Sequence, residues 1–240
     1  MRREQYLSTL PLTIEHIHLF GSDVRPVILP RDLSSLFADF LGVLRTQLEL
    51  VYIGPDPREI RINKPPVSAQ GGRQICTAFA DSAPYLLATE ESLDDVNGRL
   101  LDGEAANVKR FRPNIVVAGT GRAWDEDNWH EIVIGGAGRF FVVARCPRCQ
   151  IPKFSYINGL PNSSVDPRTG INDPEKRIYR TLGTFRRIDA GRRNTPCFGM
   201  LCVSDNIGKV TGKYVLNVDG FVNIGDAVKV ERRGEHYFTK

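Results

Sequence analysis

The sequence predicts an α+β fold that is rich in strands and decorated by a few helices. Short β-prone apolar runs recur along most of the chain, whereas only a few segments repeat their apolar residues at helical spacing. The 22 glycines and 15 prolines indicate frequent turns rather than a helical bundle. A chain of 240 residues can bury a large core. We expect one domain, with residues 70–240 as its main part and residues 1–69 packed on it or belonging to it.

The N-terminal half alternates between predicted strands and helices. Ile14 to Phe20 and Leu48 to Ile53 are apolar runs that predict strands. Between them, Leu33 to Leu44 carries apolar residues at helical spacing, which predicts an amphipathic helix. Residues 54–72 are polar and rich in proline and glycine, so we expect a surface loop there. Thr89, which two glutamates follow, is typical of a helix start because its hydroxyl can cap the first turn.

The C-terminal half predicts a hairpin that ends in a pair of cysteines. Glu131 to Ile134 and Arg139 to Ala144 are β-prone runs on either side of a glycine-rich turn, and Cys146 and Cys149 follow the second run directly. The Asp-Pro pair at 173–174 is typical of a helix start. Further short strands are expected at Ile115–Ala118, Tyr214–Val218, Phe221–Ile224 and Ala227–Val230.

Composition and charge exclude several classes of protein. The excess of 32 basic over 28 acidic residues is too small to indicate nucleic acid as a partner. No apolar run approaches the ~20 residues that a membrane helix requires, and the N-terminus does not resemble a signal peptide. We therefore expect a cytoplasmic protein without a membrane span. The five cysteines are expected to be reduced thiols rather than a disulfide framework.

The cysteine pair lies among arginines. Arg148 stands between Cys146 and Cys149, and Arg112 lies one hairpin upstream. Thiolates are soft ligands that favour thiophilic metals, and arginine forks hold phosphate through paired charged hydrogen bonds. The residues therefore predict a soft metal held beside an anionic group. The Cys-x-x-Cys spacing by itself fits a metal ligand or a structural pair equally well.

A structural zinc site is an alternative for the same cysteines. It would need Cys197 and Cys202 as further ligands, although the apolar residues between these two favour a place in the core. The acidic run Asp125 to Asp127 is expected to be a solvated turn rather than an acidic patch for a partner. None of the four histidines is expected to be catalytic, because no serine or acid partner is evident.

Seven segments carry a resemblance to a known family. The segments are Phe79–Pro84, Ser92–Asn97, Phe111–Asn114, Glu126–Trp129, Arg145–Cys149, Val165–Gly170 and Phe198–Gly199. They occur in the order seen in MOSC domains, the C-terminal domains of molybdenum cofactor sulfurases and of the mitochondrial amidoxime-reducing component. The resemblance covers roughly residue 70 to the C-terminus and implies a β-barrel-like domain that holds the molybdenum cofactor, molybdopterin.

The resemblance also implies roles for particular residues. Cys149 would ligate molybdenum, as the second thiol of this element does in the amidoxime-reducing branch. Arg148 and Arg112 would hold the phosphate side of the pterin, and Asn114 and Ser82 would line the pocket. The implied function is an oxidoreductase for small N-hydroxylated or oxo substrates, supplied with electrons by a separate haem or flavin protein. The alternative is a module that carries the cofactor, or presents it for sulfuration, without turnover.

Several features differ from the family pattern. The 240 residues contain neither the Lys-Ser element of the reducing branch nor the aminotransferase-like domain in which sulfurases bind pyridoxal phosphate on a lysine. Leu201 stands where the reducing branch has a tyrosine, and Ala83 where it has a serine. Lys153 to Ser164 lengthens the usual link after the cysteines. A mitochondrial association is compatible with the resemblance.

Overall fold

Three α-helices and fourteen strands lie in the residues that the computed structural model describes. These residues are 16–53, 57–60, 74–100, 105–136, 138–149, 174–205, 207–210, 213–216 and 222–236. The helices are α1 (Arg31–Leu41), α2 (Glu90–Gly98) and α3 (Pro174–Phe185). The strands are β1 (Ile17–Leu19), β2 (Ser22–Val24), β3 (Val27–Ile28), β4 (Val51–Tyr52), β5 (Arg58–Glu59), β6 (Gln74–Thr77), β7 (Tyr85–Thr89), β8 (Ile115–Val117), β9 (Trp129–Ile134), β10 (Gly138–Pro147), β11 (Cys197–Ser204), β12 (Ile207–Val210), β13 (Lys213–Leu216) and β14 (Val228–Arg233).

A curled six-stranded sheet forms the centre of the fold. Its order is β14-β9-β10-β11-β7-β8, and all neighbours are antiparallel except β7 and β8. A four-stranded sheet, β13-β12-β6-β5, and two two-stranded sheets complete the described topology. The curled sheet forms a half-barrel, so the predicted α+β, β-rich and barrel-like fold is confirmed.

The two faces of the central sheet pack against different cores. The core that also contacts Cys146, here the site-side core, consists of Ile60, Ala83, Leu86, Phe141, Val143, Ala144, Leu201 and Val203. The core on the other face, here the far-side core, consists of Leu87, Val117, Trp129, Ile132, Ile134, Phe140, Val142, Met200 and Cys202. Alternate residues of β10 and β11 divide between the two cores, as the pleat of a strand requires.

An irregularity in β10 decides which of its residues face the site-side core. The pairing of β10 with β11 shifts between Val142 and Ala144. Phe141 before the shift and Val143 at the shift face the site-side core, and after it Ala144 and Cys146 do. A bulge inserts one residue and reverses the alternation of the strand. The bulge therefore turns Cys146 toward the site-side core.

Most of the predicted elements are confirmed. The hairpin of β9 and β10 lies where the glycine-rich turn predicts it, and β10 ends directly at the cysteine pair. Thr89 caps α2, since its side chain accepts a hydrogen bond from the main-chain N–H of Ser92 at 3.2 Å. Asp173 and the insertion from Lys153 to Ser164 lie outside the described residues.

Two predictions about element positions are wrong. Val222 to Ile224 is exposed turn structure rather than strand, because the side chain of Asp226 accepts a hydrogen bond from the N–H of Asn223 at 2.7 Å and closes a turn. Residues 57–60 are not a surface loop, since Arg58–Glu59 is strand β5 and Ile60 is fully buried. The remainder of the predicted loop at 54–72 lies outside the described residues.

Helix α1 forms but presents its apolar stripe to solvent. Leu36, Phe37 and Phe40 are exposed, whereas Ser34 and Ala38 are buried. The helix ends before Gly42, which adopts φ +67°, a left-handed conformation typical of a helix C-terminus.

Candidate functional site

The two cysteines at the end of β10 differ in exposure. Cys149 is exposed, whereas Cys146 is half-buried against the site-side core. Burial raises the pKa of the Cys146 thiol, and the neighbouring guanidinium of Arg148 opposes this shift. The accessible thiol of the pair is therefore Cys149.

Arg148 is buried and connects three segments of the chain. Its Nη1 donates a hydrogen bond to Sγ of Cys146 at 3.2 Å, and its Nη2 donates to the carbonyl of Phe111 at 2.8 Å. Its main-chain N–H donates to the carbonyl of Pro196 at 2.9 Å. The Nε atom is buried and has no hydrogen-bond partner in the described part of the chain. A buried donor without an acceptor destabilises the folded protein, so the Nε of Arg148 is suited to donate to an anion bound next to it.

Arg112 and Asn114 follow the turn that Arg148 holds. A 3₁₀ helix at Val108–Phe111 ends at Arg112, which is exposed and left-handed with φ 57°. Oδ1 of Asn114 accepts from the N–H of Leu86 at 2.8 Å, and the N–H of Asn114 donates to the carbonyl of Leu86 at 2.8 Å. Asn114 therefore joins this turn to strand β7, and its side-chain oxygen is already engaged.

Ser82 belongs to the segment that precedes β7 and is half-buried. The carboxylate of Asp81, next to it, lies close enough to Cys146 to contribute to its raised pKa. Ala83, on the other side of Ser82, packs in the site-side core together with Leu201. The segment around Ser82 therefore borders the cysteine element, and both apolar departures from the family pattern face the same side of the sheet.

Sequence comparison identifies the family. The family model for the MOSC domain matches residues 76–229. The chain belongs to the MOSC domain family. This confirms the resemblance carried by the seven ordered segments. Three of them, Phe79–Pro84, Phe111–Asn114 and Arg145–Cys149, supply the residues of the candidate site, and Val165–Gly170 lies outside the described residues.

The relatives of this MOSC domain include amidoxime-reducing components and a molybdenum cofactor sulfurase. It is 34% identical to mitochondrial amidoxime-reducing component 1 of Mus musculus over 137 residues. These aligned residues make up 55% of this chain and 36% of the relative. It is 29% identical over 201 residues to mitochondrial amidoxime reducing component 2 of Homo sapiens, covering 82% of this chain and 54% of the relative. It is 36% identical over 118 residues to molybdenum cofactor sulfurase of Arabidopsis thaliana, covering 46% of this chain and 13% of the relative. The MOSC domain thus spans about half of these relatives or less.

The structure does not bring the cysteines together as a zinc site. Cys197 and Cys202 are fully buried in β11, and burial raises the pKa of Cys197 to about 12 and that of Cys202 further. Among the described residues, no group of three or more His, Cys, Asp or Glu side chains is arranged to hold a metal ion.

The described helices include none that is long and apolar enough to cross a bilayer.

The acidic run from Asp125 to Asp127 is buried, so the expected solvated turn is wrong. It forms a 3₁₀ helix whose carboxylates have partners inside the protein. Asp127 receives a guanidinium fork from Arg186, with Nη2 to Oδ1 at 2.9 Å and Nη1 to Oδ2 at 2.8 Å. The hydrogen bonds from Arg233 are the largest cause that lowers the pKa of Asp125, to about 2. Arg122, three residues before Asp125, also pairs with it at 2.6 Å. Arg186 and Arg233 come from distant parts of the sequence, which is why the sequence pattern did not reveal their role.

Arg58 is a residue near the site that the sequence analysis missed. It is only 5% exposed, and its Nε donates to the carbonyl of Ala78 at 3.2 Å. Its Nη2 donates to the carbonyls of Ala80 and Asp81. The only signal in the sequence was the short alternation Arg-Glu-Ile at 58–60, which lies in a stretch dominated by proline and glycine.

Proposed function

We propose that this MOSC domain binds molybdenum cofactor through Cys149 and acts as an oxidoreductase on small N-hydroxylated or oxo substrates. The observation that carries the proposal is the exposed thiol of Cys149 directly after Arg148, whose guanidinium is buried and donates to the sulfur of Cys146, at the end of β10. The name of the sulfurase relative supports the cofactor, and the name of the amidoxime-reducing components supports a reduction of N-hydroxylated substrates.

The described residues fit such a group. An accessible thiol supplies a soft ligand, and the buried Nε of Arg148 supplies a donor that needs an acceptor. The exposed guanidinium of Arg112 follows the turn that Arg148 holds, so both cations can serve the phosphate of the pterin. Ser82 and Asn114 would line the pocket, with Oδ1 of Asn114 keeping the turn in place.

Exposure and charge distinguish the two cysteines. The thiolate is the form that ligates a metal, and burial disfavours it. The pKa of Cys146 is raised by burial, and its sulfur already accepts a hydrogen bond from Arg148. We therefore assign Cys149 to the metal and Cys146 to the packing of the element.

The bound cofactor would supply the redox chemistry, and the protein would supply a ligand, orientation and charge. The sequence carries no dinucleotide-binding motif, so we propose that electrons come from a separate haem or flavin protein.

A matched pair of variants tests the metal ligand. Cys149→Ala and Cys146→Ala make the same chemical change, the loss of a thiol, at two positions that lie three residues apart. After expression in a host that makes the cofactor, elemental analysis should show molybdenum in the wild type and in Cys146→Ala but not in Cys149→Ala. Reduction of an N-hydroxylated compound with a chemical electron donor should follow the same order. Molybdenum retained at the wild-type level in Cys149→Ala would rule out the assignment.

A cofactor carrier or sulfuration module is the second candidate. It is favoured by the sulfurase relative, in which the region similar to this chain makes up 13% of the length. A carrier should bind molybdenum cofactor through the same residues and reduce no N-hydroxylated compound even with a competent electron donor. Turnover with such a donor would exclude this candidate.

A further inference from the structure

Arg58 lies outside the family match, which begins at residue 76, yet it holds a segment that borders the site. Its guanidinium donates to three main-chain carbonyls, those of Ala78, Ala80 and Asp81. Residues 78–81 form bends between β6 and β7 rather than part of a strand ladder. The guanidinium therefore supplies donors that a strand neighbour would otherwise supply.

Burial makes these hydrogen bonds matter. Arg58 is 5% exposed, and its guanidinium carbon lies 5.2 Å from the centre of the Phe20 ring. A buried cation is costly unless its donors are satisfied, so the three carbonyls and the guanidinium stabilise each other. A planar fork can reach several carbonyls at once, which a lysine ammonium on a flexible stem does less well.

The held segment leads into the core against which the cysteine element packs. Asp81 is close enough to Cys146 to influence its proton affinity, and Ala83 packs in the site-side core against which Cys146 lies. Ile60, two residues after Arg58, is part of the same core. Residues 58–60 thus support the wall of the site although they precede the matched family region.

We propose that Arg58 is a positioning residue for the cofactor pocket. It holds the carbonyls of residues 78–81, so that Asp81 and Ser82 keep their place beside the element that carries Cys146 and Cys149. The part of this inference that concerns the cofactor rests on the proposed function. The part that concerns the segment itself does not.

Two variants and one control test the inference in the full chain. Arg58→Lys keeps the charge and loses the fork, and Arg58→Ala removes both. Ile132→Ala is the control, because Ile132 is fully buried in the far-side core and its truncation destabilises the fold without touching the segment. If Arg58→Ala fails to fold, Arg58→Lys alone decides the result.

The first measurement uses cofactor-free protein and follows alkylation of Cys146 by iodoacetamide, mapped by peptide mass spectrometry. Arg58→Lys should raise the rate about tenfold, because the wall beside the half-buried thiol loosens. Ile132→Ala should leave the rate near the wild-type value. An unchanged rate in Arg58→Lys overturns the positioning role.

The second measurement is molybdenum retained after dialysis of protein from a cofactor-competent host. Arg58→Lys should retain about tenfold less than Ile132→Ala. Raised alkylation with unchanged retention would overturn the role of Arg58 in the pocket and leave the proposed function standing. Absence of molybdenum from the wild type would instead refute the proposed function, and alkylation would still decide whether Arg58 positions the segment.

Discussion

The buried pair of Asp127 and Arg186 should contribute far more to stability than an exposed pair of the same geometry. The chain contains a natural control, because Asp39 and Arg45 also form a fork, with N–O distances of 2.9 and 2.6 Å. The side chains of Asp127 and Arg186 are 9% and 5% exposed, whereas those of Asp39 and Arg45 are 51% and 65% exposed. Burial therefore differs between the two pairs while the contact geometry is matched.

The magnitude follows from what each substitution leaves behind. Asp127→Asn preserves shape but leaves the Arg186 guanidinium buried without its counter-charge, which costs about 3 kcal/mol. Arg145, whose Nε lies 3.6 Å from Oδ1 of Asp127, loses part of its compensation as well. Asp39→Asn leaves Arg45 in water, where solvent screens its charge, so this substitution should cost little stability.

Urea denaturation followed by fluorescence of the two tryptophans measures both losses in the free energy of unfolding. We expect Asp127→Asn to lower this free energy by at least 2 kcal/mol more than Asp39→Asn does, as an approximate bound. Equal losses in the two variants would refute the reasoning, since burial is what separates them. A loss below about 1 kcal/mol in Asp127→Asn would refute it as well.

Three further predictions concern thiols, a histidine and a glycine. At pH 8, a thiol reagent should modify Cys149 in the native protein and Cys197 only after unfolding, because Cys197 is buried with its pKa raised to about 12; equal native rates would contradict this. Burial is the main cause that lowers the pKa of His236 from 6.5 to about 4. Between pH 6.5 and about 4 the imidazole is therefore protonated in the unfolded state but neutral in the folded state. The free energy of unfolding should fall by up to about 3 kcal/mol as the pH falls through this range. His236→Gln should flatten this pH dependence, and an unchanged slope would disprove it. Gly199→Ala should destabilise the protein by about 2 kcal/mol more than Gly136→Ala. Both glycines have φ near +75°, but only at Gly199 would a Cβ lie 2.6 Å from a main-chain oxygen of β7. If the clash at position 199 were unimportant, thermal unfolding would show the same loss of stability in Gly199→Ala and Gly136→Ala.

Local patterns predicted the parts of the fold that depend on near neighbours in the chain. The β9–β10 hairpin follows from a glycine turn between β-prone runs, and the start of α2 from the capping hydroxyl of Thr89. Both depend on contacts between residues a few positions apart. The apolar stripe of α1 predicted a helix correctly, but periodicity alone could not predict that Phe40 would be exposed and Ala38 buried.

The carboxylates show where local patterns fail. Three consecutive acidic residues, Asp125 to Asp127, predict a solvated turn. In the structure, Arg122 pairs with Asp125 from three residues away. Arg186 and Arg233, which lie about 60 and 108 positions from their partners, neutralise Asp127 and Asp125 inside the fold. No pattern of short range could have reported these pairs.

The candidate site divides in the same way. Sequence alone determined the chemistry that is available: a thiol pair next to an arginine at a strand end, in motifs that identify a MOSC domain. Only the tertiary structure decided that Cys149 is the accessible thiol, that Arg148 is buried with its Nη atoms bound inside the protein, and that Arg58 supports the wall of the site. The physical reason is that residue type sets what an atom can donate, accept or ligate, whereas burial and hydrogen-bond partners depend on segments that folding brings together from distant parts of the chain.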